Sequence, residues 1–146
     1  MLGGQLSIGA LMVVLTVVVH TVGVIALTAY LRERDLKVVR YRNYVALTRV
    51  LVFTTLVIFL LHTVEIWLWA LLYIWLDEFQ TIERALYFST VVFTTLGYGD
   101  IILGPRWQLL SSFEAANGLL LIGVSTAYLF AVIKKLFAIS DVIKPD

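Results

Sequence analysis

The chain has 146 residues, of which 61% are apolar and only 14% charged, and its mean hydropathy is +0.96. A soluble domain has roughly half apolar residues and about a quarter charged ones, so the composition excludes an ordinary soluble domain. Because a spanning helix needs about 20 residues, the length suits about three spans and no appended globular domain. Cysteine is absent, which excludes a disulfide framework and a cysteine-based metal site.

The first apolar segment runs from Leu6 to Leu31, and His20 is its one ionisable residue. It is longer than the roughly 7–15-residue core of a signal peptide, and no basic residue precedes it, so it predicts a spanning helix. We expect His20 to be a structural histidine rather than a ligand. The charged stretch 32–44 completes an N-terminal unit, 1–44. This stretch either extends the two flanking helices or lies on anionic lipid and tunes gating.

The remaining residues, 45–146, predict a second unit with two long helices and one short helix. The long helices are expected at 45–76 and 107–137, and the short one at 81–93, beginning at Gln80 or Thr81. Thr81 is a good N-cap residue, and Glu83 in the first turn suits the helix dipole. A polar segment, 94–100, follows the short helix. The pattern predicts an all-α membrane protein with three transmembrane helices and a re-entrant helix.

The basic residues predict how the chain crosses the membrane. Cytoplasmic loops carry an excess of Lys and Arg. Nine of the eleven basic residues lie in the loop between the first two spans and its flank or towards the C-terminal end of the chain. They are Arg32, Arg34, Lys37, Arg40, Arg42, Arg49, Lys134, Lys135 and Lys144. The N-terminus is therefore expected outside and the C-terminus in the cytoplasm, and the segment 77–106 enters the membrane from outside.

The segment "TTLGYGD", 94–100, is too polar for lipid contact, because irregular backbone at membrane depth must be buried in protein or line a water-filled path. Gly97 and Gly99 alternate with Leu96 and Tyr98. Glycine adopts positive φ without a Cβ clash, and alternating handedness turns successive carbonyls to one side. Four such strands around one axis would form rings of carbonyl oxygens, with a ring of Thr95 hydroxyls at the inner end. Such rings can replace the hydration shell of a cation.

"TTLGYGD" resembles the selectivity-filter signature of potassium channels, and the resemblance extends over 45–137. It implies a tetramer around a central pore, with K⁺ bound at Thr95, Leu96, Gly97 and Tyr98 and with oxygens of Gly99 also in the filter. Asp100 would lie at the outer mouth, where it attracts cations and accepts hydrogen bonds. The chain departs from the family pattern at three positions. Leu96 replaces a valine or isoleucine, Phe88 a tryptophan that braces the filter, and Val91 a glutamate found in some bacterial members.

Two further groups of residues in the spans are candidates for function. Many channels of this type bend at a glycine of the inner helix, which places a hinge at Gly123 or Gly118. The stripe Gly123, Ala127, Ala131 either lines a cavity or packs closely against another helix.

The spans also contain a buried polar cluster, namely His62, Glu65, Glu114 and Asn117. Three interpretations stay open: a hydrogen-bond network that fastens the second span to the third, a proton-sensitive gate, and a divalent-metal site of His62, Glu65 and Glu114.

The resemblance implies a small prokaryotic channel of the cell membrane that conducts K⁺ passively as a homotetramer. Its partners would be K⁺ and membrane lipids, with no organic cofactor and no nucleic acid. No nucleophile–base pair or phosphate loop indicates an enzyme. Two alternatives are a weakly selective cation channel, because Leu96 and Phe88 alter the surroundings of the filter, and a membrane sensor or assembly protein that does not conduct.

Overall fold

The computed structural model of the chain describes residues 2–34 and 44–141, the side chains of Arg34 and of 138–141 excepted. Four helices account for most of these residues: α1 (Leu2–Arg34), α2 (Tyr44–Trp75), α3 (Ile82–Phe93) and α4 (Gln108–Asp141). The predicted all-α class is confirmed, and no strand occurs in the described ranges. Most of the charged stretch 32–44, and with it Lys37, Arg40 and Arg42, lies outside the described residues, as does Lys144.

Three of the helices are long and apolar enough to cross a membrane: α1, α2 and α4. They contain 33, 32 and 34 residues. At 1.5 Å per residue each is about 50 Å long, which exceeds the hydrocarbon core of about 30 Å. Large apolar side chains along all three are exposed on the single chain, among them Leu11, Phe59 and Leu120. These faces are available to lipid or to neighbouring chains.

The four helices pack into one bundle in which α2 contacts each of the others. Helix α1 packs against α4 as well as against α2. Two glycines of α1 mark close approaches. A Cβ atom on Gly9 would lie 2.8 Å from the ring of Phe113 on α4, and one on Gly23 would overlap the side chain of Leu61 on α2. Small residues allow such close helix contacts in membranes.

An aromatic core holds the short helix α3 against α2. Tyr73 and Phe88 are buried, and their rings meet edge to face with centroids 5.3 Å apart. Phe79, in the turn before α3, lies 5.2 Å from Phe88. Edge-to-face pairs of this kind stabilise beyond the area they bury. The side chain of Phe88 therefore orients α3 by packing, where an indole N–H would have oriented it by a hydrogen bond.

Candidate functional site

The C-terminal end of helix α3 lies inside the bundle, and the segment 94–100 follows it directly. Thr81 is its N-cap and accepts a hydrogen bond from the amide of Arg84. The last helical residue is the fully buried Phe93. After it, the amides of Leu96 and Gly97 both donate to the carbonyl oxygen of Val91, at 3.0 and 3.2 Å. These two bonds turn the chain sharply out of the helix.

The backbone of the segment alternates in handedness. The φ angles of Thr95, Gly97 and Gly99 are +61°, +55° and +75°. Leu96 and Tyr98, between them, are not among the positive-φ residues of the described chain. A strand with every second residue left-handed turns successive carbonyls toward one side. The glycine positions were predicted, whereas the left-handed Thr95 was not, because a β-branched residue rarely adopts positive φ.

Nothing within residues 2–34 and 44–141 covers this strand. Every residue of the segment 94–100 is exposed, including Leu96 and Tyr98. A Cβ atom added to Gly97 or to Gly99 would meet no atom within 4 Å. The described helices therefore do not cover the side chains of Leu96 and Tyr98. The single chain shows the strand but none of its surroundings.

Asp100 accepts a hydrogen bond from the hydroxyl of Tyr87 on α3, at 2.7 Å. This bond to a carboxylate raises the pKa of Tyr87 above its ordinary value, so Tyr87 stays a neutral donor at physiological pH. It ties the end of the segment 94–100 back to α3. The sequence offered no carboxylate at Val91 to partner Asp100, and Tyr87 supplies the partner that we did not predict.

Glu114 on α4 joins three helices. One of its oxygens accepts a hydrogen bond from the hydroxyl of Tyr73 on α2, at 2.6 Å, and the other accepts one from Ser89 on α3. Ser89 also contacts the carbonyl oxygen of Ile66, at 2.9 Å. Tyr73, Ser89 and Glu114 are all fully buried. This network fastens the middle of α3 to both α2 and α4.

Glu65 belongs to a different network, which includes His20. One oxygen of Glu65 lies 2.8 Å from Nδ1 of His20 and the other lies 2.8 Å from Nδ1 of His62. From the sequence we treated His20 apart from His62 and Glu65, but α1 brings it to α2, where its ring stacks on that of His62 with centroids 5.3 Å apart. On their other side, both Nε2 atoms face the hydroxyl of Ser125 on α4, at 3.3 and 3.0 Å.

The four residues of the predicted cluster therefore do not form one group. The side chains that converge within 4.8 Å are His20, His62 and Glu65, and Glu114 is not among them. The structure therefore does not bring together a metal site of His62, Glu65 and Glu114, which was one of the three interpretations of the sequence. Asn117 donates instead to Thr16 on α1, at 2.7 Å. The expected fastening of the second span to the third exists, through Tyr73–Glu114 and His62–Ser125, but α1 and α3 take part as well.

The two hinge candidates have opposite surroundings. A Cβ atom on Gly118 would overlap the carbonyl group of Phe93 at the end of α3, so Gly118 permits the closest contact between α4 and α3. A Cβ atom on Gly123 would meet nothing within 4 Å. Helix α4 continues unbroken through both positions. The hinge stays a prediction, and none of the four described helices packs against the exposed stripe Gly123, Ala127, Ala131.

Comparison with known proteins identifies the second unit. A family model described as "Ion channel" matches residues 45–135, which is more than half of the chain. The chain belongs to this ion channel family. No curated protein and no solved structure matches it significantly. Family membership together with three membrane-crossing helices makes the chain a multi-pass membrane protein of ion transport.

Sequence reasoning missed four residues that hold this region together: Tyr73, Tyr87, Ser89 and Ser125. Each carries a polar group within or beside an apolar helix, and such groups need partners in lipid. That requirement was a signal for a partner, but it does not say which helix supplies the partner. Only the packing of α1 and α3 on the pair α2 and α4 decides it.

Proposed function

We propose that this protein is a potassium-selective channel that conducts K⁺ passively across the cell membrane as a homotetramer. The segment 94–100 forms its selectivity filter. Carbonyl oxygens of Thr95, Leu96, Gly97, Tyr98 and Gly99 and the hydroxyl of Thr95 line the filter, and K⁺ occupies sites formed by the first four of these residues. Family membership supports ion conduction, and the "TTLGYGD" segment supports the choice of ion.

One observation carries the proposal: the alternating, uncovered strand at the C-terminal end of α3. Irregular backbone in the hydrocarbon region is tolerated only inside protein or along a water-filled path. The described residues do not cover the strand, and we assign its cover to other copies of the chain. A four-fold arrangement satisfies this requirement, because each strand then faces the central axis and its outward side chains pack against neighbouring subunits.

Charge supports a cation as the transported ion. The C-terminal end of a helix carries partial negative charge, and α3 ends where the proposed filter begins. Asp100 places a carboxylate at the opposite, outer end, held there by Tyr87. Four copies of each feature would place negative potential at both ends of the filter. An anion would meet an unfavourable potential at both ends.

Flux through purified protein in liposomes tests conduction, and reversal potentials in mixed K⁺ and Na⁺ test selectivity. We expect K⁺ flux in the wild type and its loss in Gly99→Ala, because an L-residue is strained at the φ of +75°. Gly3→Ala is the matched control, since Gly3 lies in α1 with no atom within 4 Å of an added Cβ and has no positive φ. Flux of Na⁺ equal to that of K⁺ would favour the weakly selective channel, and no flux from folded protein would favour the non-conducting sensor.

The proposed assembly is tested by the mass of the purified protein. Each chain has a mass of 16.5 kDa, so native mass spectrometry is expected to show an assembly of four chains. A monomer or a dimer that nevertheless conducts would overturn the four-fold filter while leaving ion conduction in place.

A further inference from the structure

The two histidines of the chain, 42 positions apart, meet at one place. The sequence contains only His20 and His62, and both contact the carboxylate of Glu65 between α1 and α2. Glu65 is fully buried and His20 is 2% exposed, whereas His62 keeps 15% exposure. The ion channel family model begins at residue 45, so it does not include the α1 side of this group.

The four side chains His20, Glu65, His62 and Ser125 form a closed ring of contacts, which we call the histidine ring. It has four links: two between Glu65 and the Nδ1 atoms, and two between Ser125 and the Nε2 atoms. Each link needs one hydrogen. With neutral imidazoles and an ionised carboxylate, the two histidines and the serine supply three. One link is then a contact between two lone pairs, and a buried polar contact of that kind is unfavourable.

We propose that the histidine ring is a binding site for a divalent cation of the Zn²⁺ class. The ligands are Nδ1 of His20, Nδ1 of His62 and one oxygen of Glu65, which are three donors of the types that Zn²⁺ accepts, and a water molecule is the fourth ligand. A bound ion removes the need for the missing fourth hydrogen in the histidine ring. Each metal-bound imidazole carries its hydrogen on Nε2, both Nε2–H groups donate to Ser125, and the serine hydrogen turns to a carbonyl of its own helix.

The geometry requires little movement. The donor atoms already lie within 4.8 Å of one another, and each Nδ1 lies 2.8 Å from a carboxylate oxygen. Ligands on one tetrahedral Zn²⁺, bound at about 2.0–2.1 Å, are about 3.3 Å apart, so the groups must separate by about half an ångström. Stacking of the two rings places both Nδ1 atoms on the same side, toward Glu65.

The surroundings suit a net positive charge. A divalent ion with one carboxylate leaves one positive charge, which is costly in a membrane interior. The ring of Phe93, the last residue of α3, lies 5.8 Å from that of His62. The partially negative end of α3 therefore lies beside the site and offsets this charge. His62, the partly exposed ligand, gives the ion its access.

Co²⁺ reports the site directly, because tetrahedral Co²⁺ with nitrogen and oxygen ligands absorbs visible light far more strongly than octahedral Co²⁺. The protein is purified through a tag without histidine, so His20 and His62 are the only imidazoles present. We expect tetrahedral bands that saturate at one Co²⁺ per chain and are removed by Zn²⁺. Zn²⁺ is also expected to raise the unfolding temperature, because it binds the folded chain preferentially.

Three variants and a control identify the ligands. His20→Gln and His62→Gln are each expected to abolish the bands, and Ser125→Ala, which keeps every ligand, to weaken binding about 10–100-fold. Glu114→Gln, a buried acid outside the ring, is expected to bind like the wild type. The proposal is overturned if folded wild type shows no tetrahedral bands, which would mean that a proton closes the ring instead, or if the bands survive in the double histidine variant. The spectra need no ion flux, so they decide this site independently of the channel proposal.

Discussion

Gly118 and Gly123 lie five positions apart on α4, yet only Gly118 is in contact with another helix. We predict that Gly118→Ala destabilises the protein by about 1–3 kcal/mol, the usual effect of overpacking. The added Cβ would strike the carbonyl group of Phe93, which is main chain and cannot rotate away. Thermal unfolding of purified protein in detergent measures the effect.

Gly123→Ala is the matched control for this substitution. Its Cβ meets no atom of the chain, and alanine favours a helix over glycine by about 1 kcal/mol. We expect it to be neutral or slightly stabilising. Equal stability of the two variants would show that the contact between α4 and the end of α3 is looser than described.

For single residues, the sequence predicts the conformations that depend only on the residue's own type. The positive φ of Gly97 and Gly99 was predictable because glycine is the residue that adopts it readily. The positive φ of Thr95 was not, because the hydrogen bonds around Val91 impose it. The partner of His20 could not be predicted either, because Glu65 lies on another helix and 45 positions away.

Helix α3 is held at its centre by the contact of Ser89 with Glu114. We predict that Ser89→Ala destabilises the protein by about 1–3 kcal/mol, the effect of leaving a buried carboxyl oxygen without its donor. Ser112→Ala, at an exposed position of α4, is the control and should change stability little. Denaturation of both variants in detergent measures the difference. If Ser89→Ala unfolds like the control, α3 is held by its aromatic core alone.

Helix α1 is attached to α4 by the bond from Asn117 to Thr16. Thr16→Val keeps the shape of the side chain and leaves the amide of Asn117 without an acceptor. Bonds of this kind between membrane helices contribute about 0.6 kcal/mol on average and up to about 1.7 kcal/mol, so we predict a loss in that range. Thermal unfolding measures it. Thr55→Val is the control, since Thr55 is exposed and bonds only to the carbonyl of Leu51 on its own helix.

The elements themselves were predictable from hydropathy and capping. The expected long helices at 6–31, 45–76 and 107–137 are found at Leu2–Arg34, Tyr44–Trp75 and Gln108–Asp141. Thr81 caps α3, which ends at the expected residue. How the elements pair could not be read from the sequence. The spans are apolar on nearly all sides, so their sequences do not indicate that α1 packs against both α2 and α4.

For the whole molecule, the single chain leaves two kinds of surface uncovered. The apolar sides of α1, α2 and α4 suit lipid or neighbouring chains, whereas the segment 94–100 suits only protein or water. The first surface follows from composition and was predictable. The cover of the second, which we propose to be partner chains, depends on contacts between copies that neither the sequence nor one chain contains.

The orientation in the membrane is predicted from the basic residues, with the start of α1 outside and its end in the cytoplasm. The absence of cysteine allows a test without background labelling. Gly3 and Glu33 are exposed at opposite ends of α1. We expect a membrane-impermeant thiol reagent to label Gly3→Cys in intact cells, and Glu33→Cys only after the membrane is opened. The reverse pattern would place the filter segment at the cytoplasmic face and contradict the entry of α3 from outside.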